Sequence, residues 1–187
     1  MLWATLAGAA SDAKGYATGE LSLGDEKAPV TVIEYASMTC PHCATFHTET
    51  FKALKEKYVD TGKVHFVFRE FPFDGLALRA SMLARCSGEG RYFAMLDVLF
   101  RQQQGWSRSK TPLAELAKIG RLAGVSQAQF DACMADEALA NVVIKNRMVG
   151  EKEHEVSSTP SFVVNGEVFS GSKTLAQFDE ILAKHLR

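Results

Sequence analysis

Cys40 and Cys43 are separated by two residues in Cys40-Pro41-His42-Cys43, a spacing at which a pair of thiols can cycle between dithiol and disulfide. The run Val30-Thr31-Val32-Ile33-Glu34-Tyr35-Ala36 before them is β-branched and apolar on both faces, which predicts a central strand covered on both sides. After Pro41, the residues Phe46, Phe51, Leu54 and Tyr58 recur at near-helical spacing and Thr61-Gly62 supplies a stop, so a helix is predicted from about Pro41 to Asp60. The motif therefore sits where a strand gives way to a helix, with Cys40 at the N-cap and its sulfur beside unpaired backbone N–H groups. Those amides and the helix dipole favour a thiolate, and His42 adds a donor or a positive charge. Cys43 lies one turn further in and more buried. Cys40 is the expected nucleophile. A low thiol pKa stabilises the reduced form relative to the disulfide, so the oxidised protein should pass its disulfide to another thiol pair.

The elements that must hold this motif follow from the periodicity. Val64-His65-Phe66-Val67-Phe68 reads as a second strand, and two strands joined by one crossover helix form a right-handed βαβ unit with parallel strands. From about Phe73 to Glu153 the pattern turns helical throughout, with stripes such as Tyr92, Leu96, Leu99 and Leu113, Leu116, Ile119, and with helix starts at Thr111-Pro112 and Ser126. About five helices are expected there. Strand signal returns at Ser161-Phe162-Val163-Val164 and Glu167-Val168-Phe169 around Asn165-Gly166, a strong hairpin signature. A final amphipathic helix carries Leu175, Phe178, Ile181, Leu182 and Leu186.

Composition narrows the partners. In 187 residues the 21 Lys and Arg nearly balance the 22 Asp and Glu, leaving a formal charge of -1, and no basic cluster offers the counterion release on which nucleic-acid affinity depends. No nucleic-acid partner is expected. No apolar run approaches the ~20 residues of a membrane span. Leu2 to Ala10 is apolar, and Ala7, Gly8, Ala9 and Ala10 resemble the end of a signal peptide although no Lys or Arg precedes them. Residues 1–15 are thus expected to be a tail, either a remnant of an export signal or an ordinary N-terminal segment.

With the strand before Cys40-Pro41-His42-Cys43, the helix after it, Thr159-Pro160 ahead of the hairpin, and the helical stretch between the halves, the chain resembles the thioredoxin superfamily over most of its length. Specifically, it is similar to DsbA-like thiol:disulfide oxidases, whose Pro-His dipeptide it shares. The resemblance implies an α/β fold, a central mixed sheet flanked by helices, split between residues 16–72 and 154–187, with an inserted all-helical domain over 73–153. It implies a cis proline at Pro160 opposite the active cysteines. A cis X–Pro bond turns the chain and leaves the preceding main chain free, so Thr159 is expected to pair with an extended substrate segment and to face the sulfurs. Glu34, six residues before Cys40 in an apolar strand, is expected beneath Cys43, where members of this superfamily carry a buried acid that takes or delivers the proton of the second cysteine through water. The open alternative is a strand-end glutamate reaching solvent.

The implied cycle starts with the oxidised Cys40–Cys43 pair meeting an unfolded or folding secreted protein with free thiols, passes through a mixed disulfide at Cys40, and ends with a reduced enzyme. A DsbB-type membrane oxidase would reoxidise it. The implied location is the periplasm, with a membrane anchor left open for a longer form, and the expected state is a monomer. No cofactor is called for. Disulfides persist in oxidising compartments, which agrees with this setting.

Cys86 and Cys133 remain once the close pair is set aside, and they are expected to form a structural disulfide in the insertion. The alphaproteobacterial type of DsbA-like protein is similar in carrying one; two separate buried thiols are the alternative. His47 follows Cys43 by one turn, so Cys40, Cys43 and His47 invite a zinc reading, but no fourth ligand stands nearby and no metal is expected. His47 is expected at the surface. His65, His154 and His185 have no assigned partner, Trp106 is expected to pack the insertion, and Phe71, Phe73 and Phe162 are candidates either for an apolar substrate surface or for the core. Competing readings are a disulfide reductase or isomerase, a CxxC metal-handling protein of the same fold, and a glutathione transferase. The isomerases carry a separate N-terminal dimerisation domain, for which the short segment before Cys40 leaves little room. A transferase does not need both cysteines.

Overall fold

Short β-branched and aromatic segments alternate with helical ones to build a mixed sheet in this computed structural model, which describes residues 14–186. The expected signal remnant at Leu2 to Ala10 lies outside the described residues. The strands are β1 (Leu21–Leu23), β2 (Val30–Ala36), β3 (Val64–Glu70), β4 (Ser161–Val164) and β5 (Glu167–Ser170), paired in the order β1-β3-β2-β4-β5. β2 and β3 run parallel, from Val30 opposite Val64 to Ala36 opposite Glu70. β1, β4 and β5 join antiparallel. Asn165 and Gly166 turn the β4–β5 hairpin with φ of 45° and 93°, the left-handed conformations that a two-residue type I′ turn requires. β1 escaped the periodicity because Leu21-Ser22-Leu23 offers too few residues to show an alternation.

The helix after the motif, α1 (residues 41–59), begins as Pro41–Thr45, widens to π-helical geometry over Phe46–Thr50, returns over Phe51–Leu54 and widens again over Lys55–Val59. Its Phe46 packs against Phe162 of β4 and against Phe178 of the last helix, α8 (Leu175–Ala183), closing one face of the sheet. Because side chains alternate along a strand, Glu34 shares this covered face with Val30 and Val32, while Ile33 and Tyr35 join Phe71, Val156 and Val163 on the other.

Between β3 and β4 the chain forms α2 (Gly75–Cys86), a 3-10 turn (Glu89–Arg91), α3 (Tyr92–Arg101), α4 (Gln103–Ser107), α5 (Pro112–Leu122), α6 (Gln127–Met134) and α7 (Glu137–His154). Among the described residues six helices stand where about five are expected, and the added one, α4, is only five residues long, too short to show a stripe of its own. Asp74, Ser126 and Asp136 cap their helices, each accepting a backbone N–H at the third helical position. Among the described residues, no helix is long and apolar enough to cross a membrane.

Two features lock the helices to the sheet. Glu70, at the end of β3, is fully buried, and Arg85 donates to both of its carboxylate oxygens at 2.6 and 2.9 Å. Tyr92 adds its hydroxyl at 2.8 Å and Asn146 its amide at 2.6 Å, so α2, α3 and α7 converge on one carboxylate. Burial works to raise the pKa of Glu70, but the Arg85 guanidinium and the other donors outweigh it and hold the group below its ordinary value. In α7, Gly150 lies against the Tyr35 ring, an approach that a side chain would obstruct. Cys86 and Cys133 are joined as a disulfide that ties α2 to α6 beside Met82, Leu139 and Val143.

Candidate active site

Cys40 has extended backbone (φ -78°, ψ 117°) and stands at the N-cap of α1, where Pro41 occupies the first helical position. Its sulfur is partly exposed, whereas Cys43, one turn on, is buried; both are free thiols. The asymmetry is chemical as well as spatial. Hydrogen bonding from the Cys43 thiol is the largest influence on Cys40; burial opposes it, and the Thr159 side chain and the backbone N–H groups of Cys43 and His42 add to it. Together they lower the pKa of Cys40 to about 5. Burial, then the hydrogen bond to Cys40 and its charge, push Cys43 well above the ordinary thiol value. Cys40 is thus a thiolate at neutral pH and Cys43 is protonated.

The peptide bond between Thr159 and Pro160 is cis, and as a thiol Cys40 donates to the Thr159 carbonyl at 3.3 Å. Thr159 is partly exposed and Pro160 buried, with the Pro160 carbonyl accepting from the Gly171 amide at 2.8 Å across the hairpin. Pro41 and His42 face solvent.

Beneath the cysteines, Glu34 is fully buried and does not reach solvent. Burial raises its pKa and the neighbouring His47 offsets part of that rise. His47 is not the surface residue its helical position suggested: it is 5 % exposed, with Nε2 2.9 Å from Glu34 Oε2 and its ring stacked on Phe100 of α3 at 4.3 Å between centroids. The period of α1 aims it at the sheet, and the insertion closes over it. Phe71 and Phe162 are fully buried and belong to the core; Phe73, 49 % exposed, is the one of the three aromatic candidates at the surface. Trp106 is buried and donates its indole N–H to the Leu99 carbonyl at 2.8 Å. Among the described residues, no group of His, Cys, Asp and Glu is arranged to hold a metal.

Gln103 was not singled out by its sequence. It is buried at the start of α4, and its amide donates to the carbonyls of Met38 at 2.8 Å and Cys40 at 2.9 Å, fixing the loop that delivers Cys40 to the helix start. Thr39 is held in turn by Asp74, whose Oδ2 accepts its hydroxyl at 2.6 Å. The insertion thus buttresses the active loop at two points. A groove of about 810 Å³ runs beside it between α1 and the insertion, lined by Pro41, Thr45, Thr48, Gln102, Gln104 and Trp106 among others.

Comparison with known proteins agrees with this geometry. The family model described as Thioredoxin matches residues 17–184. A Rickettsia bellii protein that carries the provisional name protein-disulfide oxidoreductase is 39 % identical over 148 residues, 79 % of this chain. The chain spans 57 % of the length of that relative. Disulfide bond formation protein D of Bacillus subtilis is 29 % identical over 173 residues, 87 % of this chain and 74 % of that protein. Among solved structures, alpha-DsbA1 of Wolbachia pipientis superposes with a TM-score of 0.83 at 32 % identity, covering 89 % of this chain and 90 % of that one. A protein-disulfide isomerase from Novosphingobium aromaticivorans superposes with a TM-score of 0.77 at 25 % identity, covering 90 % and 98 %. The chain belongs to the thioredoxin family and, within it, to the DsbA-like proteins.

Proposed function

We propose that this protein is a periplasmic thiol:disulfide oxidase that donates the Cys40–Cys43 disulfide to folding secreted proteins. The observation that carries the reading is the contrast between the two sulfurs: Cys40 held near pKa 5 at a helix start, Cys43 buried and protonated. A couple whose reduced form is stabilised by such a thiolate gives up its disulfide readily, because cleavage by a substrate thiol releases that stabilisation.

In the proposed cycle a substrate thiolate attacks Cys40 Sγ, the partly exposed sulfur, and the electron pair of the Cys40–Cys43 bond leaves with Cys43. A second substrate thiolate then displaces Cys40, whose charge His42, Thr159 and the helix start receive. Thr159 and Pro160 bind the substrate main chain across the sulfurs. Pro41 starts the helix, and Glu34 delivers a proton to Cys43 as it leaves. Cys86–Cys133 is structural. The working division is residues 16–72 and 154–187 for the thioredoxin-like part and 73–153 for the insertion. Reoxidation is assigned to a DsbB-type membrane oxidase, and the protein acts as a monomer without a cofactor or metal.

The test is the equilibrium reduction potential of the Cys40–Cys43 pair against glutathione, with Cys86–Cys133 oxidised. A value above about -200 mV is expected for a disulfide donor. A value near about -270 mV would make the protein a reductase by poise and overturn the oxidase reading.

A further inference from the structure

Glu34 and His47 form a pair enclosed between β2, α1 and α3. Glu34 Oε2 is bonded to His47, but Oε1, equally buried, has no hydrogen-bond partner among the described residues. An unsatisfied carboxylate oxygen in an apolar enclosure is costly and marks a place where a proton or donor comes and goes. The enclosure is aromatic: Phe100 stacks on the imidazole, while Phe46, Phe51 and Phe68 stand around it at centroid distances of 5.3, 4.8 and 5.8 Å. Cys43 of α1 is buried in the core that covers the Glu34 face of β2, which puts the acid on the side of the resolving sulfur, and the Glu34 charge adds to the rise that burial gives the Cys43 pKa. On its other side His47 lines a separate cavity of about 240 Å³, together with Leu23, Phe51, Lys52, Phe93 and Arg101. That space admits several waters at about 30 Å³ each.

We propose that Glu34 and His47 act together as a proton relay between the Cys43 sulfur and this lateral cavity, with His47 the positioning residue that recharges Glu34. The inference rests on the assignment of Glu34 to the proton of Cys43 made above. When a substrate thiolate forms its bond to Cys40 Sγ, the electron pair of the broken disulfide goes to Cys43. Glu34 supplies the proton that neutralises Cys43, His47 Nε2 passes a proton to the carboxylate in its place, and cavity water returns one to His47. During reoxidation the same path runs backward, and Cys43 gives its proton to Glu34 as it attacks. The titratable groups that face the pair are Cys40 and Cys43 at the start of α1, Lys52 and Lys55 further along it, Tyr92 behind Glu34, and Asp97 and Arg101 of α3 at the cavity. Arg101 donates to Asp97 at 2.8 Å, so these two largely compensate each other at the mouth.

The experiment follows resolution of the Cys40–glutathione mixed disulfide to the Cys40–Cys43 disulfide in the whole chain, by acid quench and mass spectrometry, between about pH 5 and about pH 9. Wild type, Glu34→Gln, His47→Gln and the double variant are compared. Glutamine at position 47 can still donate to Glu34 but cannot take up a proton and pass one on. The relay predicts that each single variant resolves at least about tenfold more slowly at neutral pH, that the double variant is no slower than Glu34→Gln alone, and that the deficit shrinks at high pH as hydroxide takes over. A slow Glu34→Gln beside a normal His47→Gln overturns the relay and leaves the buried-acid assignment standing. Normal rates in both overturn that assignment as well. A deficit of His47→Gln that is equal at every pH shows a packing role and overturns the relay. Should His47→Gln fail to fold, the solvent isotope dependence of the unaltered protein decides: a curved dependence on deuterium fraction supports transfer of more than one proton, and a linear one overturns it.

Discussion

Cys40 Sγ and the carbonyl oxygen of Thr159 stand 3.3 Å apart although 119 residues separate them in the chain. The strand-to-helix switch of the first half and the hairpin of the second meet at this sulfur, and the whole helical insertion lies between them in sequence. The arrangement lets one residue contribute two contacts of opposite kind. The Thr159 carbonyl accepts from the thiol, and the Thr159 side chain helps stabilise the thiolate.

The reactivity of reduced Cys40 should follow that thiolate. Alkylation by iodoacetamide is expected to reach half its maximal rate at a pH of about 5, with Cys43 unmodified in the folded protein. The same shift makes stability pH-dependent. A thiol whose folded pKa is lowered stabilises the reduced protein fully above the ordinary thiol value of 9.0, and that contribution is lost as pH falls through about 5. The stability of the reduced protein relative to the oxidised one should therefore rise with pH across this window in paired denaturant titrations. A flat difference would contradict the assignment.

Removing the largest contributor to the thiolate gives a second prediction. In Cys43→Ala the thiol that hydrogen-bonds to Cys40 is gone, and the Cys40 pKa should rise from about 5 while remaining below 9.0, because the helix-start amides and Thr159 persist. Ultraviolet thiolate absorbance against pH measures this directly. An unchanged midpoint would show that the helix start and Thr159 set it without the Cys43 thiol.

Gln103→Leu tests the buttress. The substitution keeps bulk but leaves the carbonyls of Met38 and Cys40 without their side-chain donor, and the Met38 group lies in a buried loop. A loss of about 1–3 kcal/mol in urea unfolding is expected, accompanied by slower turnover of reduced substrate as the loop loosens. Loss of stability with full activity would reduce Gln103 to a packing residue.

How far this site was legible in the sequence depends on what each residue announces. Cys40, Cys43, the strand before them and the Asn165-Gly166 hairpin carry local signatures; helical periodicity marks the insertion, and the resemblance that these features carry implies the α/β class. Glu34 stood out as a carboxylate in an apolar run. Gln103 had no such mark, since it is one of three successive glutamines and only the turn between α3 and α4 decides which points inward. His47 looked like a solvated histidine on an amphipathic helix; that Phe100 would close over it is a long-range fact that helical spacing cannot express. The Glu70–Arg85 pair was hidden for the same reason, because charged residues at a strand end and on a helix face read as surface until their partner is known.

Gly150 offers a test of the packing between α7 and the sheet. A Cβ there would lie 2.7 Å from Tyr35 Cε1 and 3.2 Å from Phe71 Cε2. Tyr35 cannot swing aside freely, because its hydroxyl accepts from Arg69 at 2.8 Å. Gly150→Ala should therefore destabilise by about 1–2 kcal/mol, the cost of overpacking exceeding the helix-propensity gain of about 1 kcal/mol. A thermal midpoint equal to or above that of the wild type would show that the ring yields.

The carboxylate of Glu70 bears on how the helical insertion is held against the sheet. It ends the strand that pairs with β2, and it is gripped by α2, α3 and α7 at once, so swinging the insertion away from the sheet would strand a buried charge. Moving the insertion relative to the sheet therefore carries an electrostatic cost that a purely apolar seam would not impose. Under the proposed function, pliability at the encounter would then fall to the substrate chain. Amide hydrogen exchange should show the bonded turns of α2 and α3 opening together with β3 and not ahead of it.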